Sequence, residues 1–193
     1  MPHMISHGDG GSNTNASGLP FEKCVLRNHI PGQKYVIGDK TFVYLKQSGF
    51  TNHMSDLKDL YWEHDKKPDG AYVSSDRKTV ILFECKHQII PGSVDEKLRT
   101  GPCLLEEYRH LYPGVNFHLA FIVNDWWFKQ KKYEIPIKFN EKYGIKVFFA
   151  KHGDVSWKMH INRKTRKWTL FPAYYTLNES EVNHWMTERS LQS

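Results

Sequence analysis

Three polar residues follow directly on an apolar segment of the chain. Residues 80–83 are Val, Ile, Leu and Phe, and they lead into Glu84, with Lys86 and Gln88 each two positions further on. Alternate side chains of a β-strand point to the same face, so these three share one face of a predicted strand. Asp69 opens the preceding apolar segment, and a hairpin would bring its carboxylate beside Glu84. Two carboxylates placed together repel each other unless a cation lies between them.

The chemistry that such a set could perform is metal-assisted hydrolysis. A hard divalent ion such as Mg²⁺ takes oxygen ligands and keeps several waters, so Asp69, Glu84, a backbone carbonyl and water would form its shell. Lys86 beside them could position a water or lower its pKa, and could stabilise the charge that develops on a phosphorane. The residue types and their spacing therefore predict phosphodiester hydrolysis.

These motifs resemble those of the PD-(D/E)XK nuclease superfamily. Pro68-Asp69 matches the first motif, residues 70–83 form the linker, and Glu84-Cys85-Lys86 matches the second motif after its apolar strand. Gln88 extends the pattern to ExKxQ. Residues 92–98, Gly-Ser-Val-Asp-Glu-Lys-Leu, look like a recurring sequence in type II restriction endonucleases of this superfamily.

The resemblance covers roughly residues 20–125 and implies both a fold and an activity. The implied fold is α/β, a restriction-endonuclease-like core in which a central mixed β-sheet is flanked by helices. The implied activity is that of a Mg²⁺-dependent DNA endonuclease. In it, Asp69 and Glu84 bind the metal. Lys86 activates or orients water, and Gln88 assists.

The resemblance also implies a further acid and a partner. Members of the superfamily often draw an additional carboxylate from an amino-terminal helix, and Glu22 is the matching residue here. The implied substrate is double-stranded DNA. Because one such core cuts one strand, double-strand cleavage needs a homodimer or a second catalytic subunit, and the partner would then be a second copy or a larger specificity and second-strand subunit. No separate DNA-reading domain is visible in the sequence, which favours a small catalytic subunit over a homodimer.

Other interpretations of the same residues remain open at this point. Asp69 could simply be the acid of a Pro-Asp-Gly turn, and Glu84 with Lys86 could form an exposed ion pair at a sheet edge. Exposed edges do not usually follow four consecutive apolar residues, which weighs against the second idea. The alternatives for function are a repair or transposon nuclease of the same superfamily, or a non-catalytic DNA-binding module. The intact set of two acids and a lysine argues against the module.

The charge of the chain modestly favours a polyanionic partner. Its 193 residues include 27 Lys and Arg against 21 Asp and Glu, a net charge of +6. Such residues usually form only solvated surfaces, but in a nuclease they become candidate phosphate contacts, because release of counterions drives much of DNA binding. The candidates are Lys97, Lys129, Lys131, Lys132, Lys158, Arg163, Lys164, Arg166 and Lys167.

The three cysteines suggest a reducing compartment. Cys24, Cys85 and Cys103 are odd in number and include no CxxC pair, so neither a disulfide framework nor a zinc site is expected. Cytoplasmic localisation fits this pattern best. By strand alternation, Cys85 and His87 point away from Glu84, and we expect both to pack in the core on the other face.

Apolar periodicity and turn residues predict the elements that hold these groups. We expect a flexible tail over residues 1–18 and a single nuclease domain over residues 19–193, which ends in a β-hairpin and a helix. Gly101-Pro102 should kink or split the helix that Ser93 caps. The predicted helices are residues 19–30, 55–64 (or an irregular segment), 93–111, a short one within 126–144, and 178–191; the predicted strands are 34–38, 40–47, 70–74, 79–88, 116–125, 145–152, 155–164 and 166–177.

Overall fold

A computed structural model of the chain describes residues 21–61, 65–88, 94–152, 158–161, 168–171 and 175–192. The tail predicted over residues 1–18 lies outside these ranges. The described elements form an α/β arrangement in which helices flank a mixed seven-stranded sheet, and this confirms the predicted fold class. None of the helices in the described ranges is long and apolar enough to cross a membrane.

The sheet is antiparallel on one side and parallel in its centre. Its strand order is β1-β2-β3-β4-β5-β6-β9, with β4, β5 and β6 parallel to one another and the other neighbours antiparallel. The strands β7 and β8 pair separately as the predicted hairpin. The bounds are β1 Lys34–Ile37, β2 Lys40–Leu45, β3 Gly70–Ser74, β4 Thr79–Lys86, β5 Asn116–Asn124, β6 Lys146–His152, β7 Lys158–Ile161, β8 Trp168–Phe171 and β9 Tyr175–Thr176.

Helices cover both faces of this sheet. The described part of α1 is residues 21–25, and the other helices are α2 Gln47–His53, α3 Val94–Lys97, α4 Gly101–Leu111, α5 Asp125–Phe128, α6 Glu134–Lys142 and α7 Glu179–Ser190. One core, which includes Leu82 and Leu105, lies between the sheet and α4. A second core, which includes Ile81 and Trp185, lies between the sheet and α1 and α7. Because both faces are covered, β4 and β5 are nearly continuous apolar runs.

The long helix predicted after Ser93 is split at the predicted position. α3 passes into a 3₁₀ turn over Leu98–Thr100, and α4 begins at Gly101. Pro102 lacks the N–H that a continuous helix would need. A Cβ on Gly101 would collide with Oδ1 of Asn140, whose Nδ2 donates to the carbonyl of Leu98 at 2.7 Å.

Three predicted elements differ from the structure. The single strand predicted over residues 166–177 is divided between β8, which pairs with β7, and β9, which pairs with β6 at the edge of the main sheet. The segment 55–64 contains only a 3₁₀ turn, Ser55–Leu57, and the helix of this region is instead α2, which buries Phe50. The first helix ends at residue 25 rather than 30. Residues 26–28 form a turn after the helix, and Pro31 further disfavours helical conformation at Ile30.

Candidate active site

Asp69 and Glu84 meet at the open end of one hairpin. β3 and β4 pair with Gly70 opposite Phe83, so the same register places Asp69 opposite Glu84. Oδ2 of Asp69 accepts a hydrogen bond of 2.7 Å from the backbone N–H of Cys85. The hairpin closes at residues 75–78, at the other end of the two strands. Asp69 therefore lies in a bend that leads into β3, and the Pro-Asp-Gly sequence does not supply the turn of the hairpin.

Lys86 joins the two carboxylates. Its Nζ lies 2.6 Å from Oε2 of Glu84 and 3.8 Å from Oδ2 of Asp69. The Glu84 and Lys86 side chains are only 12% and 16% exposed. Their strand, β4, lies inside the sheet between β3 and β5. The alternative of an exposed ion pair at a sheet edge is therefore wrong.

Burial makes the negative charge of Glu84 costly. Burial raises the pKa of Glu84, and the charges of Asp69 and Glu22 raise it further, while Lys86 opposes the shift. Burial lowers the pKa of Lys86, but the charges of Glu84 and Asp69 outweigh it and hold that pKa above its ordinary value. The ammonium therefore stays protonated. A buried acid pair of this kind stabilises any cation placed against it.

A cavity of about 450 Å³ opens onto this group from the side of α4. Glu84 and Lys86 line it, Phe121 of β5 forms part of its wall, and Lys97 lies on it as well. Of the basic residues predicted to contact phosphate, Lys97 is thus the one that the described structure brings to the same cavity as the acids.

Sequence reasoning missed two other residues of this cavity, Lys66 and Glu107. Lys66 precedes Pro68-Asp69 by two positions, and Glu107 lies in the middle of α4. Nζ of Lys66 is 2.8 Å from Oε2 of Glu107. Nothing in the local spacing of either residue indicates the pair, because it joins two segments that are distant in the chain.

Glu22 approaches the acid pair from the α1 face of the sheet. Its carboxylate is 3.2 Å from Nζ of Lys46, which follows β2, and its side chain is only 12% exposed. Its charge contributes to the raised pKa of Glu84 and of Cys85, so it lies within electrostatic reach of both. Lys46 was another residue that the sequence did not indicate.

Gln88 and His87 follow the end of β4. The backbone N–H of Gln88 donates to Oδ1 of Asn124, and its carbonyl accepts from Nδ2 of the same residue, both at 2.9 Å. These bonds fix the backbone of Gln88 against the end of β5; a role for its side chain at the acids stays a prediction. His87 packs on the other face beside Phe21 and bonds the hydroxyl of Tyr175 at 2.9 Å, as strand alternation predicted.

Three other predicted phosphate contacts, Lys129, Lys131 and Lys132, do not line this cavity. Nζ of Lys129 lies 3.9 Å from Oδ2 of Asp125, and Lys132 lies over the ring of Trp127 at 4.5 Å. Lys131 begins a 3₁₀ turn, Lys131–Tyr133. These three follow the carboxyl end of β5, and Lys158 begins β7. Arg163, Lys164, Arg166 and Lys167 lie outside the described residues.

The residues at the acid pair fit Mg²⁺ as a hard, oxygen-binding ion. Asp69 and Glu84 supply two carboxylates, and the Lys86 ammonium already lies against both. Within the described ranges, no group of three or more His, Cys, Asp or Glu side chains is arranged to hold a metal. An ion at this pair would complete its shell with backbone carbonyl and water oxygens, which Mg²⁺ accepts readily.

Comparison with known proteins adds no relative to this picture. No protein-family model, curated protein or solved structure matches the chain. The fold and the site define the class as an α/β protein with a mixed seven-stranded sheet and a buried pair of acids bridged by a lysine.

Proposed function

We propose that the protein is a Mg²⁺-dependent DNA endonuclease of the PD-(D/E)XK type, similar to type II restriction endonucleases. The observation that carries this proposal is the convergence of Asp69, Glu84 and Lys86 on one side of the β3–β4 hairpin, with Glu84 and Lys86 on a cavity of about 450 Å³. A cavity of this kind can admit a phosphodiester group.

Four residues of the candidate site have a role in this proposal. Asp69 and Glu84 hold the metal ion, which when bound polarises the phosphate and lowers the pKa of a water. The hydrogen bond from Cys85 keeps Asp69 oriented before any ligand arrives. The Lys86 ammonium exchanges a carboxylate contact for the attacking water or a phosphate oxygen, where it offsets the charge that develops during the reaction.

The cavity also carries charges that suit a phosphate backbone. Lys66, Lys86 and Lys97 line it together with Glu84 and Glu107. A metal ion at the acid pair would leave this lining clearly positive, which favours a polyanion. We propose double-stranded DNA as that substrate. The chain acts either as the small catalytic subunit of a larger enzyme or as a homodimer, because one active site cuts one strand.

The proposed compartment is the cytoplasm. Cys24, Cys85 and Cys103 are all free thiols. Burial raises the pKa of Cys85 well above its ordinary range, so this thiol stays protonated. Free thiols of this kind are typical of a reducing compartment.

Incubation of the protein with supercoiled plasmid tests the activity. We expect nicked or linear DNA with Mg²⁺ and none with EDTA, and no cleavage by Asp69→Asn or Glu84→Gln. Arg77→Ala is the matched control, because Arg77 lies in the turn at the far end of the same hairpin, where it binds Asp56. Cleavage that survives in Asp69→Asn would overturn the assignment of the site.

The same assay separates the alternatives. Nicking that requires a larger partner subunit supports the small-subunit version, whereas double-strand cleavage by the protein alone supports a homodimer. DNA binding without cleavage, with Mg²⁺ and a partner present, would instead identify a non-catalytic DNA-binding module. Cleavage selective for damaged or transposon-end DNA would identify a repair or transposon nuclease of the same superfamily.

A further inference from the structure

Two ion pairs on the candidate active-site cavity, Lys66–Glu107 and Glu84–Lys86, differ in their exposure to solvent. Lys66 and Glu107 both line the cavity, and their side chains are 37% and 42% exposed. Glu84 and Lys86 line the same cavity but are only 12% and 16% exposed. The pair of Lys66 and Glu107 is therefore more exposed to solvent than the pair of Glu84 and Lys86, and it is more accessible to an incoming ligand.

The residues on both sides of Lys66 contact other segments of the chain. On one side, the carboxylate of Asp65 binds Nζ of Lys58 at 2.6 Å. On the other, the carbonyl of Pro68 accepts a 3.0 Å hydrogen bond from the N–H of Gln47. Lys66 therefore lies three positions before Asp69 in a segment that contacts other parts of the fold, and its ammonium is carried on a flexible stem.

The charges of the cavity favour an exchange of partners at this lysine. Exposed ion pairs contribute little to stability, so separating Lys66 from Glu107 costs little. A DNA phosphate offers charge-assisted hydrogen bonds of the same type that Glu107 provides. Binding of Lys66 to a DNA phosphate also releases condensed counterions, which favours the bound state, whereas binding to a carboxylate of the protein releases none from DNA.

We propose that Lys66 is a substrate-binding residue whose ammonium leaves Glu107 and binds a backbone phosphate beside the scissile one. Glu107 holds the ammonium over the cavity until DNA enters. This inference rests on the proposed nuclease function and deepens it, because it assigns a phosphate-binding subsite to a residue outside the motifs. Lys66 acts on binding and position, and Lys86 remains the lysine at the reacting phosphate.

Substitutions of Lys66 and of Glu107 should change the affinity for DNA in opposite directions. We expect Lys66→Ala to weaken binding of a short DNA duplex and to reduce the slope of log K against log salt by about 0.9, the loss of one phosphate contact. Lys66→Arg should retain both the wild-type affinity for DNA and the wild-type salt slope. Glu107→Gln should tighten binding, because it removes the competing carboxylate and a negative charge near the DNA. Binding is measured in EDTA, which prevents cleavage, over about 50 to 200 mM salt.

The matched control is Arg77→Ala. Arg77 is 32% exposed and pairs with Asp56, so it resembles Lys66 in exposure but lies at the opposite end of the hairpin. We expect it to leave the salt slope unchanged. In Mg²⁺, Lys66→Ala should raise KM for DNA with kcat nearly unchanged. Thermal melts of all variants check that each one is folded.

Three outcomes would overturn the inference: an unchanged slope in Lys66→Ala, weaker binding in both Lys66→Ala and Glu107→Gln, or no DNA binding by the wild type. Weaker binding in both variants would show that the Lys66–Glu107 pair is a purely structural contact. A wild type that cleaves DNA while Lys66→Ala keeps its slope refutes this inference alone. If the wild type does not cleave even with Mg²⁺ and a partner present, yet Lys66→Ala has a reduced salt slope, the nuclease function alone is refuted.

Discussion

Asp69 is bound to the backbone of β4 through the N–H of Cys85, at 2.7 Å from its Oδ2. Cys85 lies between Glu84 and Lys86 in the chain, so this one hydrogen bond ties the first acid to the strand that carries the second acid and the lysine. Both groups of this bond belong to the chain, so Asp69 is held at the strand that carries the other two residues of the candidate site.

Substitutions at Asp69 should separate its structural role from its chemical one. Asp69→Asn keeps an oxygen that can accept from the Cys85 N–H, so we expect near wild-type stability in urea but no Mg²⁺-dependent nicking. Asp69→Ala removes the acceptor and leaves a buried N–H without a partner, at a cost of about 1–3 kcal/mol in the free energy of unfolding. Equal stability of the two variants would show that the hydrogen bond contributes nothing.

Removing the ammonium of Lys86 should destabilise the protein in a pH-dependent way. Lys86→Met leaves Glu84 buried without its cation, and we expect a loss of about 3–5 kcal/mol near pH 7. Burial holds the pKa of Glu84 above its unfolded value, so the folded state binds the proton first and stability falls as pH rises. The loss should therefore shrink near pH 5, as measured by urea unfolding.

The double variant Glu84→Gln/Lys86→Met is the control for this prediction. It removes both charges, so we expect it to be more stable near pH 7 than Lys86→Met alone, with a flatter pH profile. A Lys86→Met variant that loses as much stability near pH 5 as near pH 7 would contradict the role assigned to Glu84.

His87 should make the protein less stable in mild acid. Burial lowers its pKa from 6.5 to about 4, with a smaller contribution from His152. Between these two values the unfolded chain binds a proton that the folded protein does not, so stability falls as pH drops from 6.5 towards 4. The full effect is about 3 kcal/mol, from 1.36 kcal/mol per pKa unit.

His87→Phe removes this titration and should flatten the fall in stability between pH 6.5 and pH 4. The aromatic packing against Phe21 is retained. His184→Phe is the matched control, because His184 lies exposed on α7, and we expect its profile to follow the wild type. Part of the slope should remain in His87→Phe, because burial also lowers the pKa of His118 to about 4. Parallel profiles for His87→Phe and wild type would refute the prediction.

The hydroxyl of Tyr44 is buried without a hydrogen-bond partner among the described residues. Tyr44→Phe should therefore leave stability unchanged or raise it by up to about 1 kcal/mol, because no bond is lost. Tyr72→Phe is the contrasting variant, since the Tyr72 hydroxyl bonds Nδ1 of His29, and it should lose about 1 kcal/mol. Chemical denaturation measures both. Destabilisation of Tyr44→Phe by more than Tyr72→Phe would contradict the contrast.

Gly70 should not tolerate a methyl group, because the methyl would collide with Tyr44, and removal of the Tyr44 hydroxyl should partly relieve this collision. A Cβ at Gly70 would lie 2.7 Å from the Tyr44 hydroxyl oxygen. We expect Gly70→Ala to cost about 1–3 kcal/mol in the free energy of unfolding, as overpacking does. Combining it with Tyr44→Phe should recover part of this loss, although ring atoms remain at 3.1 and 3.3 Å. Strictly additive effects in the double variant would rule out this contact as the cause.

The β3–β4 hairpin could be predicted from the sequence because its signals are local. Two apolar runs flank the polar residues 75–78, and strand alternation then assigns a face to Glu84, Lys86 and His87. The helix α2 could not be predicted in this way. Its sequence, Gln47–His53, contains Ser, Gly, Thr and Asn, which are poor helix formers, and burial of Phe50 against the core stabilises it instead.

The partners of the site were beyond sequence reasoning for a different reason. Lys46 meets Glu22, and Lys66 meets Glu107, across long intervals of the chain, and each contact exists because the fold packs a helix beside a distant segment. Periodicity within one element carries no information about such pairs. The position of Lys97 on the cavity likewise depends on the split in the helix before α4. The Gly101-Pro102 sequence predicted a kink at this point but not the direction in which the chain turns.

The parallel pairing of β4 with β5 has a consequence for the order in which the molecule assembles. Asp69, Glu84 and Lys86 belong to one hairpin and can meet as soon as that hairpin leaves the ribosome. Glu107 and Phe121 join them only after α4 has been made and β5 has docked alongside β4. Contacts between distant chain segments form slowly. We therefore expect the charged residues to meet in water first, so that the step that closes the cavity over them removes part of their hydration.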